Sequence, residues 1–303
     1  MTASIGDADL RLLRVFVTVA RYQGLAAAQH ELNLSLPTIS AHVARLEERL
    51  GVRLCERGRS GFRLTQEGAR VVELAQGLLG AVEDFSSEVA ALQNRLSGSL
   101  RVAIIDNIAN NPACALPATL AELERRCDDV DVHVELVAPN QLESAVSDAR
   151  FHLGIGPAMK QLPSLDYEPL FGEQQRLYCA AGHPLFDTPD AQIREADLAA
   201  SRYVGHLFPI PEFRADGRPL PVTAKSQYME SVAMLIRSGG YIGFLPTHYA
   251  EEWVRAGTLR ALRPETYHYT NSFHAITRKH RQPTRVMSVF RETLLRHHRE
   301  AAA

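Results

Sequence analysis

Apolar positions in the first third of the chain recur at helical spacing and are broken at regular points. Leu12, Leu13, Phe16, Val19 and Ala20 form one stripe, which predicts a first helix. Gly24 to Glu31 reads as a short helix with Leu25, Ala28 and Leu32 on one side, and Leu32-Asn33-Leu34 as a tight turn. The next stretch, SLPTISAHVARLEERL from Ser35 to Leu50, carries Ile39, Val43, Leu46 and Leu50 on one face and Thr38, Ala41, Arg45 and Glu48 on the other. Ser35 suits an N-cap, Pro37 the first turn and Gly51 the stop. Val52-Arg53-Leu54-Cys55 and Phe62-Arg63-Leu64-Thr65 then read as two short strands around a turn with two glycines and two arginines, Glu56 to Gly61.

From Thr65 to Leu96 there is no proline, and the apolar period narrows. Val71, Ala75, Leu78, Val82, Phe85, Val89, Leu92 and Leu96 alternate by four and three residues, an a/d seam of about four heptads. Such a stripe fits contact with one other helix better than a broad globular face, and the expectation is a dimerisation helix. Ser97-Gly98-Ser99 reads as a hinge. From Leu100 the period changes again. Strands at 100–105, 130–136 and 151–156 alternate with helices through Leu116, Leu120 and Leu123 and through Leu142, Ala145 and Val146. A second set has strands at 176–181, 203–207, 242–245 and 272–277 with helices at 229–238, 249–255 and 286–295. Two α/β lobes with parallel sheets follow from that order.

A short helix, a brief turn and a longer helix make the helix-turn-helix layout, in which the second helix enters the DNA major groove. The hairpin after it reads as a wing, and Arg53, Arg57, Arg59 and Arg63 suit it to phosphates or a minor groove. These residues resemble the DNA-binding segment of LysR-type transcriptional regulators. That family runs L-x-x-S-Q-P-x-x-S-x-x-[IV]-x-x-L-E-x-x-L-G-x-x-L-F-x-R, then R-x-x-x-L-T-x-x-G. Ser35, Pro37, Ser40, Val43, Leu46, Glu47, Leu50, Gly51, Leu54, Arg57, Leu64, Thr65 and Gly68 match. Leu36 stands where the family usually has Gln, Ala41 where many members have Arg, and Cys55 where Phe is usual. The first two departures remove bidentate base readout at those positions. Leu36, Thr38 and Ala41 are therefore expected to meet thymine methyls, with His42, Arg45 and the wing arginines supplying polar and phosphate contacts and DNA shape the remaining specificity.

The resemblance continues loosely into the rest of the chain, through Glu173 to Pro184 and Gly239 to Pro246. It implies an α/β multidomain protein: a winged helix-turn-helix over residues 1–65, a linker and dimerisation helix over 66–97, and a two-lobed effector domain over 98–303 resembling periplasmic binding proteins. Lobe I would hold about 98–169 and 271–303, and lobe II about 170–270. It also implies a homodimer or tetramer on palindromic double-stranded DNA, bending it, often upstream of a divergently transcribed gene, with RNA polymerase as a further partner.

Charge agrees once it is resolved along the chain. The whole carries a net −2, yet residues 1–65 hold nine arginines against six carboxylates and no lysine, a net +3. A positive unit on an acidic remainder suits a DNA reader joined to something else. The start, MTASIGDADL, lacks a signal-peptide core, and no apolar run approaches a membrane span, so a cytoplasmic protein is expected. Cys55, Cys114, Cys127 and Cys179 are scattered, which speaks against a disulfide framework, a zinc site or the cysteine pair of peroxide-sensing relatives.

Ligands of two-lobed α/β domains sit at the carboxyl ends of strands. Candidates are Asp106, Asn107 and Asn110 after the first strand, Asn140 after the second and Gly156 at the end of the third. In the second lobe they are His206, then Ser226, Gln227 and Tyr228 before a helix, and Thr247 after Pro246. Each is also a plausible helix cap or surface residue. Many relatives have Ser or Thr where this chain has Asp106-Asn107 and hold an effector carboxylate there. An aspartate disfavours an anion, and an effector with a hydroxyl or amine facing Asp106 is expected. No cofactor is expected. An enzyme using Cys114 with His152 or His206 is the weakest alternative, since no nucleophile elbow, P-loop, dinucleotide fingerprint or H-E-x-x-H occurs. A constitutive DNA-binding regulator without an effector stays open.

Overall fold

The computed structural model describes residues 6–58, 61–91, 97–127, 129–208, 213–215, 218–279 and 283–302. The chain divides into two compact units, Met1–Gln93 with Asp148–Arg150, and Asn94–Ser147 with Phe151–Ala303.

In the first unit α1 (Asp7–Arg21), α2 (Gln29–Leu32) and α3 (Leu36–Leu50) precede a hairpin of β1 (Cys55–Gly58) and β2 (Gly61–Leu64), and α4 (Gln66–Ala91) follows. Phe16, Val19, Ile39, Val43, Leu46 and Leu54 form its fully buried core, joined by Ala28 and Cys55. The short helix begins at Gln29 rather than Gly24, because 22–28 form turns around Gln23 at φ +52°. The hairpin is also shifted. Its strands pair Cys55 with Leu64 and Glu56 with Arg63, whereas Val52 to Leu54 precede the first strand. Helix α4 is described to Ala91, so Leu92 and Leu96 of the seam lie outside the described residues. Val71 and Ala75 pack against the core of this unit, while Leu78, Phe85 and Val89 are exposed. Val82 is half-buried, and Leu74, outside the seam, is exposed too.

The second unit opens with β3 (Ser97–Ile104), α5 (Leu116–Arg126), β4 (Asp129–Leu136), α6 (Pro139–Ser147) and β5 (Leu153–Pro157). Ser97-Gly98-Ser99 is therefore no hinge. Those residues are the start of β3 and pair with Asp129, Val130 and Asp131. A 16-residue strand, β6 (Leu165–Ala180), comes next. It is followed by α7 (Glu195–Ala200), β7 (Tyr203–His206), the small pair β8 (Arg214–Ala215) and β9 (Arg218–Pro219), and β10 (Val222–Ser226). Then come α8 (Met229–Leu235), continued by a wide turn over Ile236–Gly240, β11 (Ile242–Pro246), α9 (Thr247–Arg255), β12 (Leu259–Ala261), β13 (His268–Arg278) and α10 (Arg285–Ala302). Strand order is β10-β7-β11-β6-β13-β5-β3-β4, with β12 on β6. The outer trios β10-β7-β11 and β5-β3-β4 are parallel, and the central β6 and β13 are antiparallel to each other and to their neighbours.

Strands β6 and β13 each serve both lobes. Leu165, Phe273, Ala275 and Ile276 belong to the lobe I core with Leu100, Leu142, Leu153 and Phe290. Further along, Leu177 and Cys179 face Tyr203, Phe244 and Tyr269, while Tyr178 and Ala180 face Val204, Val232 and Ile236, the two surfaces of the lobe II sheet. On the edge strand β4, Val132, Val134 and Leu136 do not point into a core; all three are exposed.

Glu143 holds the end of lobe I together. Its carboxylate, 1% exposed, accepts the backbone N–H groups of Met159 (3.1 Å), Lys160 (2.7 Å) and Gln161 (2.7 Å) and the Tyr167 hydroxyl (2.6 Å). Truncation would take the shared acceptor from four donors at once. Glu143→Ala is expected to lower unfolding stability by about 3 kcal/mol, read from the midpoint of urea denaturation.

Candidate nucleic-acid interface and ligand cleft

Helix α3 is set by local chemistry. Ser35, extended at φ −69° and ψ 150°, caps it: its Oγ accepts the Thr38 N–H (3.4 Å) and lies 2.8 Å from Thr38 Oγ1. At the other end Gly51 takes the left-handed region (φ +68°), and its N–H reaches Glu47 O at 2.8 Å. The Glu47 carboxylate then accepts Leu54 N (2.8 Å) and Cys55 N (3.3 Å), which turns the chain from helix to wing. Thr65 Oγ1 donates to Arg53 O (2.7 Å) and accepts Gly68 N (2.9 Å). A Cβ on Gly68 would stand 1.9 Å from Leu54 O, so only glycine fits.

Those groups hold the fold and leave much of the outer face of α3 exposed. Ser35, Leu36, Pro37, Ala41 and Arg45 are exposed; Thr38, Ser40 and His42 are half-buried. Leu36 is 41% exposed, a large apolar side chain offered to solvent at the start of the helix. Pro37, Ala41 and Ala44, at i, i+4 and i+7, continue an apolar stripe beside Arg45. Ala44 was missed by the sequence reading, although its spacing from Ala41 gave the signal. Thr38 spends its hydroxyl on Ser35. His42 Nδ1 is buried without a partner, which turns part of that ring away from solvent. Arg49 is engaged elsewhere: it pairs with Asp9, whose carboxyl is held below its usual range by the Gly6 N–H and then by Arg49. Arg63 is exposed on β2 across from Glu56. Arg59 lies outside the described residues, as does the side chain of Arg57.

In the second unit polar groups of the two lobes meet around the loop after β3. Asp106 and Asn107 leave β3, with Asn107 in the left-handed region at φ +67°. Asp106 Oδ2 accepts the N–H of Met229, the first residue of α8, at 2.6 Å. The Asn107 carbonyl accepts His248 Nε2, in the first turn of α9, at 3.1 Å. Since a carbonyl only accepts, that nitrogen carries the proton. Behind this loop Glu173, where β6 passes between lobes, is 5% exposed. It accepts Asn111 Nδ2 (3.3 Å) and Gln175 Nε2 (2.7 Å), and His248 Nε2 lies 3.9 Å away. His206 ends β7 stacked on Phe208 at 4.8 Å, 9% exposed, with both ring nitrogens unpartnered. Both carboxamide atoms of Asn107 and Oε1 of the fully buried Gln175 are also unpartnered.

Burial sets the charges here. It pushes Glu173 up to about 7 against the two amide donors, with Asp106 adding to the rise. It also raises Asp106, opposed by the Met229 N–H. His206 is driven down to about 4 and His248 is lowered, so both rings are neutral at pH 7.

The other candidates are less engaged. Asn110 and Asn140 are exposed, and Gln227 and Thr247 half-buried. Ser226 Oγ bonds the Tyr228 backbone at 3.3 Å and makes a local turn, while Tyr228 precedes α8. Gly156 is a packing glycine: a Cβ there would stand 2.5 Å from Leu142 Cδ2. Asn111, Glu173, Gln175 and His248 were missed. Among the described residues no cluster of His, Cys, Asp and Glu could hold a metal, and no helix is long and apolar enough to cross a membrane.

Residues 10–69 match the bacterial regulatory helix-turn-helix family of LysR type, and residues 93–299 match the LysR substrate binding domain. The chain is 39% identical over 291 residues to the HTH-type transcriptional activator BauR of Pseudomonas aeruginosa, covering 96% of this chain and 95% of that one. Its fold is similar to the crystal structure of CbnR, a LysR family transcriptional regulator (TM-score 0.61, 21% identity, 95% of this chain and 98% of that one). It is equally similar to full-length CbnR complexed with its target DNA (TM-score 0.60, 20% identity, 95% and 99% covered).

The raised Glu173 pKa has a sign that can be measured. Folded protein binds the Glu173 proton more tightly than unfolded chain, so this contribution to stability is present below pH 4.5 and lost as pH rises through about 7. Glu173→Gln keeps the shape without the charge, and Gln175 can turn its free Oε1 toward the new amide. The variant is expected to melt above wild type at pH 8 and to lose this part of the pH slope between pH 5 and 7, read by thermal melts across a pH series.

Proposed function

The chain belongs to the LysR family of bacterial transcriptional regulators, and from that premise we propose how its own residues read DNA and sense a ligand. It is a DNA-binding transcriptional regulator with a substrate-binding domain, not an enzyme. Two copies join along α4 through Leu78, Val82, Phe85 and Val89 and set two reading heads on a palindromic site. Domain limits of 1–65, 66–97 and 98–303 serve this division of labour. The observation that carries the reading is the outer face of α3, where Leu36, Pro37, Ala41 and Ala44 lie beside Arg45 above a core that uses every other apolar residue of the helix. That face suits thymine methyls, with Ser35, Thr38, Ser40 and His42 flanking it and Arg45, Arg57, Arg59 and Arg63 on phosphates or in the minor groove.

Self-association finds further support in exposure. Phe85 is 70% exposed on α4, and the edge strand β4 offers Val132, Val134 and Leu136, a second surface by which dimers become tetramers. A small molecule enters the interlobe cleft against Asn107, His206 and the neighbouring acids. Because both carboxylates are already costly to ionise, the cleft suits a ligand with an amine or hydroxyl rather than a simple acid. Binding shifts the lobes' population and thereby the spacing of the heads. The site of action is the cytoplasm, with RNA polymerase as partner. The name of the BauR relative supports activation of the target promoter.

The test is a footprint of the purified protein on the DNA immediately upstream of its own coding sequence, over a salt series. Protection of a roughly palindromic site is expected, with affinity falling steeply in salt. Leu36→Ala should lose about tenfold discrimination at one base position in each half-site, whereas Arg45→Ala should weaken all sequences alike and reduce the salt slope by about one. A Leu36→Ala protein with unchanged base preference would remove the methyl-reading assignment. Phe85→Glu, at an exposed position, should leave the fold intact and shift sedimentation toward monomer.

A further inference from the structure

The loop leaving β3 reaches from lobe I into lobe II twice within two residues. Asp106 Oδ2 takes the N–H of Met229 at 2.6 Å and also meets the N–H of Glu230, and the Asn107 carbonyl takes His248 Nε2 at 3.1 Å. The first turns of α8 and α9 are thus both held by one loop of the opposite lobe. Asn107 sits at φ +67°, in the left-handed region that asparagine adopts more readily than most side chains, and both atoms of its carboxamide are buried without a partner.

We propose that Asp106 is a built-in occupant of the ligand cleft, a carboxylate supplied by the chain that clasps the lobes through α8 and denies that position to the acid group of any ligand. The two N–H groups at the start of α8 have no partner within their own helix, and a negative oxygen is the favoured one. With Asp106 seated, an incoming carboxylate finds the donors taken. It also meets two acidic side chains, since Glu173 lies close enough for Asp106 to raise its pKa further. Asp106 is in this sense a specificity residue: it selects by repulsion and occupancy what the cleft accepts.

The inference deepens the reading of the cleft as the effector site and rests on it, but its test needs no effector. Amide hydrogen exchange over residues 228–236 is compared in full-length wild type, D106N and D106A. Exchange at Met229 and Glu230 is expected to rise about tenfold or more in D106A and less in D106N, which keeps an oxygen but not the charge. Acetate exchanged for chloride at matched ionic strength should slow those amides in D106A, where it can take the vacated place, and leave wild type unchanged. If D106A folds poorly, its operator footprint will report it, and D106N carries the exchange comparison. Exchange in the variants equal to wild type overturns the proposal, as does an acetate effect, including none, that is the same in D106A and wild type. Failure to find an effector leaves these outcomes untouched, so the two readings fall separately.

Discussion

The pairing of β6 with β13 is the interaction on which the effector domain depends. The two strands run antiparallel from His268–Arg176 at one end to Arg278–Leu165 at the other and pass together from one lobe to the other. A backbone crossing a cleft would otherwise expose or bury unpaired N–H and C=O groups; here each strand satisfies the other through the crossing. One irregularity, between Phe273 and His274, marks where the ladder bends on its way into lobe I. The side chains at the crossing, Glu173 and Gln175, are then delivered to the interior by a backbone that has no need of them. This is how a buried carboxylate comes to be held by two carboxamides in place of a cation.

The reading head obeys a different constraint, the division of one short helix between fold and function. Most residues by which the sequence announces its family turn inward. Glu47 ties α3 to the wing, Gly51 ends the helix, Thr65 joins the hairpin to α4, and Gly68 admits the backbone of Leu54. Two of the departures from the family, Leu36 and Ala41, are outward, beside the matching Ser35 and Pro37, while the third, Cys55, is buried in the core. A recurring motif can hold the helix in place and still leave exposed positions on it open to change.

That division also explains what the sequence disclosed. Helices α1, α3 and α4 were legible because each repeats one face at helical spacing, and β3 because Leu100, Val102 and Ile104 alternate along it. Strand β6 was read only in its last third, because LDYEPLFGEQQRLYCA alternates poorly where it leaves one core for the other and carries Pro169 within it. The alternation of Val130 to Leu136 named a strand correctly and left its exposure unread, since periodicity reports which residues share a face and not what covers it. In the cleft, Asp106, Asn107 and His206 stood out by position after strands. Asn111, Glu173, Gln175 and His248 did not, because only the β6–β13 register and the loop after β3 bring residues so far apart in sequence into one cluster.

The electrostatics of that cluster constrain how ligand binding can be coupled to shape. Asp106, Glu173 and the imidazole of His248 lie close together, with no arginine or lysine bonded to either acid among the described residues. Each acid is tolerated because it accepts N–H groups whose alternative partners are few, and Asp106 does so only while the lobes stay together. Separating the lobes would hydrate Asp106 and restore its ordinary acidity, yet orphan the start of α8. Keeping them together satisfies α8 and leaves the acid desolvated. Neither arrangement is free of cost, which is the condition for two states close in free energy. On the proposed reading, a ligand that supplied donors to the cleft would lower the cost of one state alone, and that difference would be all it could transmit to the DNA-reading heads.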